Sequence, residues 1–308
     1  MAQSAASLYD IGGPAFSRAR HISKGIYVCP LSTVLTLWGL AVLGASSAHR
    51  LWAHRTYSAA TPLRVFLMLC QCLVGQGPIY DWVLYHRLHH KLFGTDVDPY
   101  DHKKGFIYAH IMNRMKTLSP YQKKEKESID MSDIEADPVV MLQKKFYYWL
   151  LYPVLFMLLP INAPLEYWQD SILSAIFVMG FLRYAMVLHT AWLIDSGVCL
   201  WGLQQGDKYP ADTNMVFVIT KSYWPLYHYL YPEDYKSGEY GSYDSGILTA
   251  LIRVWAALGW AWDLRTTTTS TVQEALGEAA RTHKSIPVCL KEAASRQNLP
   301  IDHYMCRG

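Results

Sequence analysis

His86-Arg87-Leu88-His89-His90 ends an apolar run that begins at Pro62, and the spacing of its histidines predicts both a helix and a metal site. In a helix, positions i, i+3 and i+4 share one face, so His86, His89 and His90 crowd together. Imidazoles in such a group repel one another once they are protonated, and a shared metal cation would hold them neutral. The stretch is therefore interpreted as a helix that presents metal ligands.

A second histidine pair, His49-Arg50-Leu51-Trp52-Ala53-His54, also follows a long apolar segment. We name residues 49–54 box one and residues 86–90 box two. A single histidine is more often a packed or surface residue, and even three can arise by chance on a surface helix. Two boxes, each placed at the end of an apolar segment, favour metal ligation over both of these alternatives.

The composition of the chain points to a membrane. Of its 308 residues, 51% are hydrophobic and only 17% are charged, whereas about 25% are charged in an ordinary soluble domain. The lipid bilayer is therefore an expected partner. The formal net charge is +3 and there is no long Lys/Arg tract, so we expect no nucleic-acid partner. The six cysteines show no paired C-x-x-C spacing, which predicts buried, reduced thiols.

Three apolar segments are long enough to cross a bilayer: about residues 26–47, 147–165 and 172–194. The last two are interpreted as a transmembrane hairpin. The first ends in box one beside Arg50 and Arg55, whose charges favour the cytoplasmic side. Three crossings would place both boxes on the cytosolic side and the polar segment of residues 1–25 in the lumen.

The apolar stretch of residues 62–80 is predicted to be a buried or interfacial helix. A shared metal site requires both boxes on one side of the membrane, and this stretch is too short to cross twice. The alternative is a true span, with unrelated histidines on opposite sides. Residues 91–145 are expected to form a solvated connection with helical pieces, in which His110 is not a ligand. Residues 266–308 are expected to form a polar, soluble tail.

Several further motifs accompany the boxes, and together they resemble the membrane acyl-CoA desaturases of the stearoyl-CoA (delta-9) type. The resemblance covers residues 26–265, interpreted as a fatty acid desaturase domain. The motifs that carry it are His49-Arg-Leu-Trp-Ala-His54-Arg, Tyr80-Asp-Trp-Val-Leu-Tyr-His86-Arg-Leu-His89-His90-Lys, Asp98-Pro99, Lys104-Gly-Phe106, Ser132-Asp-Ile-Glu-Ala-Asp137 and Phe181-Leu-Arg-Tyr-Ala-Met-Val-Leu-His-Thr-Ala-Trp192.

The resemblance implies an all-α integral membrane protein of the endoplasmic reticulum. Its transmembrane helices would be capped by a cytosolic helical domain that carries a histidine-rich di-metal site. Members introduce a double bond into long-chain fatty acyl-CoA, of about sixteen to eighteen carbons, with two irons, O2 and electrons from cytochrome b5. The chemistry agrees, because an alkyl C–H bond has no acidic proton and needs a redox metal. Zinc would fit the same nitrogens but has no redox chemistry.

The third histidine box of the family, H-N-x-H-H, is degenerate here. Alignment on Pro232, Asp234 and Tyr235 leaves His228, with Pro225 and Tyr229 in place of two ligands. A further family histidine aligns with Cys199 and a family asparagine with Asp195. By the resemblance, the first iron would keep His49, His54, His86 and His90 and lose a contribution at Tyr229. The second would keep His89 and His228 and would lose the histidines replaced by Pro225 and Cys199. Asp195, Cys199 and Tyr229 are possible substitute ligands.

The resemblance also implies an apolar substrate tunnel. Gln76 and Trp82 would lie along its bend, and Trp192 near its closed end. For each of these residues, ordinary core packing or interfacial anchoring is the alternative.

Two functions remain open at this point. The intact boxes favour an acyl-CoA desaturase. The damaged third box favours a catalytically inactive relative that acts as an acyl-CoA-binding or regulatory membrane protein. Members of the family usually carry another span before residue 25, so we expect either that the sequence is truncated or that a helix has been lost.

Overall fold

The structure of the protein is a computed structural model. It describes residues 29–168, 170–200, 228–229, 231–236, 247–267 and 269–296. This part of the chain is built from helices, with one pair of two-residue strands, as the all-α prediction requires. The α-helices, in chain order, are α1 (Cys29–Ser47), α2 (Thr61–Cys72), α3 (Ile79–Leu92), α4 (Phe106–His110), α5 (Pro120–Glu127), α6 (Ser132–Glu135), α7 (Pro138–Phe146), α8 (Leu159–Trp168), α9 (Ile172–Ser174), α10 (Arg183–Leu200), α11 (Ile247–Ala257), α12 (Thr269–Thr282) and α13 (Ile286–Arg296).

Within the described residues, three helical segments are long and apolar enough to cross a membrane. They are Leu31–Ala53, Pro138–Trp168 and Ile172–Leu193. All three are built partly from π-helix, at Ala48–Ala53, Tyr147–Leu158 and Ala175–Leu182. The segments lie where the sequence predicts spans, and the first two continue beyond the predicted ends. In particular, the first continues through box one, so His49 lies within its last turns.

Helix α2 packs along α1 instead of crossing on its own. Its 12 residues extend about 18 Å, well short of the ~30 Å thickness of a bilayer core. The contact is closest at Gly44, where a Cβ atom would overlap the backbone of Cys70 and Gln71. A glycine is therefore required at this position for the two helices to approach.

A chain of buried amides fixes the beginning of α3, the helix that carries box two. The side chain of Gln143 in α7 accepts from the backbone N–H of Ile79 at 2.8 Å and donates to Gln71 at 2.6 Å. Gln71 in turn donates to the carbonyl of Gly77 at 3.0 Å. Because each buried amide has its partner, this series of hydrogen bonds holds α2, α3 and α7 in fixed positions relative to one another.

The strand pair joins the end of box one to the region after α11. Strand β1 (Ser58–Ala59) pairs antiparallel with β2 (Ala261–Trp262). The pairing continues in single hydrogen bonds, from Arg265 N–H to the Thr56 carbonyl at 2.9 Å and from Tyr235 N–H to the Arg265 carbonyl at 2.8 Å. These contacts bring the segment around Tyr235 beside box one.

Helices α12 and α13 form a hairpin with its own small core, so the predicted polar tail is structured over residues 269–296. The buried members of this core include Cys289 and Leu290 from α13 and Tyr231 from the segment that follows His228. On the outside of the hairpin, Arg296 lies 3.1 Å from the carboxylate of Glu278. The hairpin therefore packs on the remnant of the third histidine box.

Candidate metal centre

Box one places its two histidines at the end of the first long helix. His49 lies in the π-helical turn Ala48–Ala53, and His54 is the residue that caps it. Arg87 of α3 holds this turn in place, because its guanidinium donates to the carbonyls of Ala53 at 3.2 Å and Trp52 at 3.1 Å. The same guanidinium pairs with Asp133 through two bonds of 2.8 and 2.7 Å. Sequence reasoning missed this role of Arg87, although an arginine follows the first histidine of each box.

The arginine of box one links the turn to the end of the third box. The buried guanidinium of Arg50 donates to the backbone carbonyl of Tyr235 at 2.7 Å and to the hydroxyl of Thr249 at 3.2 Å. Because this contact joins residues that are far apart in the chain, it holds the third-box segment close to box one.

Five imidazoles converge between box one, α3 and the third-box remnant. The Nε2 atoms of His54 and His86 lie 2.9 Å apart. The Nε2 atom of His228 lies 3.1 Å from that of His49 and 3.1 Å from that of His90. One nitrogen from each of His49, His54, His86 and His228 falls within 4.8 Å of the other three. We name these five residues the five-histidine cluster.

The cluster consists of neutral bases. Burial lowers the pKa of His54, His86 and His90 well below the ordinary value of 6.5, and the neighbouring imidazoles lower it further. Burial, followed by the neighbouring His49, lowers the pKa of His228 in the same direction. The nitrogens therefore offer lone pairs at neutral pH, as metal ligation requires.

Hydrogen bonds among the imidazoles do not account for this arrangement. Each ring nitrogen has either one hydrogen or one lone pair, so Nε2 of His228 cannot bond fully to both His49 and His90. Two nitrogens bound to one metal at about 2.1 Å each would lie roughly 3 to 3.5 Å apart. The three shortest Nε2–Nε2 separations, 2.9 to 3.1 Å, are close to this range.

His89 points away from the five-histidine cluster and has other partners. Its Nδ1 lies 2.7 Å from the buried carboxylate of Asp98, which also accepts the N–H of Tyr100 at 3.0 Å. Its Nε2 lies 3.3 Å from the hydroxyl of Tyr229. The Tyr229 ring stacks on Phe93, with centroids 3.6 Å apart and planes 5° apart. His89 therefore lies in a line of polar groups, Asp98–His89–Tyr229.

The contacts of His228 and Tyr229 differ from those expected if the ligands are divided between two metals. His228 was expected beside His89, but its Nε2 faces His49 and His90. Tyr229 was expected to affect the first group, but its hydroxyl faces His89. The two residues are neighbours on one helical turn, so they point in different directions. Pro225 lies outside the described residues, and so do the side chains of Asp195 and Cys199 in α10.

Next to the cluster lies a cavity of about 650 Å³ whose lining includes Gln76, Trp82 and Trp192. The indole of Trp82 stacks on His86, with ring centroids 4.9 Å apart and planes 9° apart. The lining combines aromatic rings with several polar and charged side chains. Besides these three residues, the lining comprises Gly75, Gly77, Asp81, Tyr85, Tyr100, Asn113, Arg114, Lys116, Tyr147, Tyr148, Tyr152, Tyr184 and Leu188.

His110 was expected in a solvated connection, but it is 5% exposed, and at the end of α4 it packs against α10. Its Nδ1 lies 2.8 Å from the hydroxyl of Ser196, and its Nε2 lies 2.9 Å from Nδ1 of His189. The ring also meets the edge of Trp192 at a centroid distance of 5.7 Å. These contacts pair His189 with His110, and they hold the wall of the cavity.

Comparison with known proteins identifies relatives of one kind, although no family model matches the chain. The chain is 41% identical over 238 residues to an acyl-CoA Delta-9 desaturase of Acheta domesticus, covering 76% of this chain and 66% of that protein. It is 39% identical over 243 residues to an acyl-CoA Delta-12 desaturase of Tribolium castaneum, covering 76% and 67%. It is 34% identical over 249 residues to the human stearoyl-CoA desaturase, covering 78% and 69%. The matched region thus spans about two thirds of each relative.

Proposed function

Because the chain belongs to the acyl-CoA desaturase family, we propose that it is an oxidoreductase that introduces a double bond into a long-chain fatty acyl-CoA. The observation that carries this proposal is the position of Trp82, which both lines the cavity and stacks on His86. A substrate in the cavity would thus lie against the wall that supports a metal ligand. The Trp82 indole would therefore contact both the bound substrate and a metal ligand.

In this proposal the metal would be iron, and the imidazoles of the five-histidine cluster would hold it. Imidazole ligands suit iron, and iron supplies the redox chemistry that breaking an unactivated alkyl C–H bond requires. The residues of the chain position these ligands and keep them unprotonated. Arg87 and Arg50 hold the turn of box one, and burial keeps the imidazoles unprotonated.

The cavity would orient the acyl chain and keep water from the reacting carbons. Aromatic rings from Trp82, Tyr184 and Trp192 offer flat apolar surfaces, and their positions around one cavity define a path for an alkyl chain. Gln76 and Asn113 add polar groups to the lining.

The same proposal places the protein in the endoplasmic reticulum membrane, with the cluster on the cytosolic side. Two charged residues, Arg50 and Arg55, lie at the end of the first span, where positive charge favours the cytosolic face. Electrons would come from cytochrome b5 and the oxidant would be O2. The product would enter unsaturated fatty acid biosynthesis.

The experiment that tests this function is an oxygen-dependent assay on microsomes that contain the full chain. Saturated acyl-CoA of about sixteen to eighteen carbons would be supplied with NADH, the reductase and cytochrome b5, and the products analysed by mass spectrometry. We expect an unsaturated product that is lost without O2, without cytochrome b5 and in His86→Asn. No product from the wild-type chain, with the protein folded and metal-loaded, would contradict the proposed activity.

A further inference from the structure

We infer that the chain holds a single metal ion, in the five-histidine cluster, and that Tyr229 closes the place of a second one by hydrogen bonding to His89. This inference rests on the metal centre proposed above, and it concerns the number of ions whether or not the chain turns over acyl-CoA. It follows from comparing the polar partners of His89 with those of the cluster.

The polar atoms of His89 are satisfied without a cation. Its Nδ1 faces the carboxylate of Asp98 at 2.7 Å, so this nitrogen carries the ring hydrogen and donates it. Nε2 is then the acceptor, and the hydroxyl of Tyr229 at 3.3 Å is its donor. In this arrangement both ring nitrogens of His89 have a partner within the chain.

The ring nitrogens of the five-histidine cluster are arranged differently. His228 Nε2 lies equally close to two other Nε2 atoms, and at most one of these contacts can be a full hydrogen bond. A cation removes this conflict. The two sets of residues therefore differ in their need for a metal.

The position of Tyr229 is fixed by packing, and not by the hydrogen bond alone. Its ring stacks on Phe93 at a centroid distance of 3.6 Å, and it also contacts the rings of His89 and His90 at 5.5 and 5.2 Å. A side chain held on several sides stays in one rotamer. The phenol thus fills the space beside His89, and a neutral hydroxyl is a weaker metal ligand than an imidazole.

The inference distinguishes His86 from His89, which lie one turn apart on α3 and are both buried. Only His86 would be a ligand, although both belong to box two. Asparagine at position 89 preserves a hydrogen-bond donor for Asp98, and asparagine at position 86 is its matched control. Tyr229→Phe removes the hydroxyl and keeps the ring that stacks on Phe93.

The test is the metal content of the detergent-purified full chain, measured by mass spectrometry and by cobalt(II) titration of the metal-free protein. We expect about one ion per chain and a titration endpoint at about one equivalent. His89→Asn and Tyr229→Phe should keep this value, whereas His86→Asn should lose it. Two ions in the wild type, or loss of one ion in His89→Asn, would overturn the inference and leave the centre itself intact. No bound metal in the folded wild type would overturn both.

Discussion

The Nε2 atom of His228 lies 3.1 Å from the Nε2 atom of His49, although 179 residues separate the two in the chain. The contact joins the last histidine of the cluster to the first. This contact depends on several parts of the fold. The strand pair, Arg50 and the hairpin of α12 and α13 all hold the segment that follows His228. The centre is therefore a product of the whole fold.

His228→Ala should reduce metal binding as strongly as His86→Ala. Both nitrogens lie in the five-histidine cluster, and loss of a direct ligand should lower the affinity by more than the roughly 10 to 100-fold seen for supporting residues. The measurement is metal per chain at a fixed low concentration of free iron. His283→Asn is the matched control, since His283 is exposed and lies in the turn between α12 and α13. Equal metal content in all variants would contradict the cluster.

The metal-free protein should lose stability as the pH falls below about 6.5. Burial depresses the folded-state pKa of His54, His86, His90 and His228, so protons bind the unfolded chain first. The free energy of unfolding therefore decreases with falling pH, by up to about 1.4 kcal/mol per group per pH unit. Thermal unfolding of the chelator-treated protein between about pH 7.5 and 5.5 measures this. A melting temperature that stayed level over this window would argue against neutral, buried imidazoles.

Acyl-CoA of about sixteen to eighteen carbons should raise the melting temperature, and free CoA should raise it much less. Leu188→Trp should remove most of this shift, because Leu188 lines the cavity and a larger ring would fill it. Leu193→Trp serves as the control on the same helix, since its side chain is 39% exposed. If free CoA stabilised the protein as well as the acylated form, the cavity would not be the acyl site.

The tip between the second and third spans should lie on the luminal side, opposite to the five-histidine cluster. One crossing separates that tip from the histidines that precede it, and one crossing separates it from His228. A long flexible insert with a glycosylation acceptor, placed after Asp170, should be glycosylated in microsomes. The same insert placed after Lys124, in α5, should not be. The reverse pattern would show that the histidines face the lumen.

Leu290→Ala should lower metal binding from a distance. Leu290 is fully buried in the core that α12 and α13 share with Tyr231, and removing its side chain should cost about 2 to 5 kcal/mol of local stability. Because Tyr231 packs in this core, the loss of packing should also make the turn that carries His228 more mobile. Val288→Ala, on the same helix and 45% exposed, is the control. Unchanged metal affinity in Leu290→Ala would separate the hairpin from the centre.

Short-range patterns allowed much of this protein to be predicted from its sequence. The spacing of His86 and His90 predicted one helical face, and apolar length predicted the membrane segments, because both depend on residues within a few turns. The direction of His228 and Tyr229 was not predictable in this way. It depends on a hydrogen bond from Arg50 to Tyr235 and on the packing of Tyr229 against Phe93.

The burial of His110 was also missed, and so was the place of Asn113 in the wall of the cavity. The connection of residues 91–145 is rich in charge as a whole, but α4 packs on α10 and gives the ring of His110 two partners, Ser196 and His189. Asn113 is 4% exposed for the same reason, since it follows α4 on the wall of the cavity. Polar residues that are buried against a distant helix resemble surface residues until the tertiary contact is known.

The hairpin of α12 and α13 has a consequence for biosynthesis. His228 is translated after all three candidate spans, and Tyr231 finds its buried place only when α13 has also left the ribosome. Domains generally fold in the order of synthesis, so a nascent chain would already be anchored in the bilayer while the ligand set is incomplete. Iron would then have to be delivered to a finished, membrane-resident polypeptide. A premature stop codon that removes the hairpin would leave a fully inserted protein that cannot close around its metal.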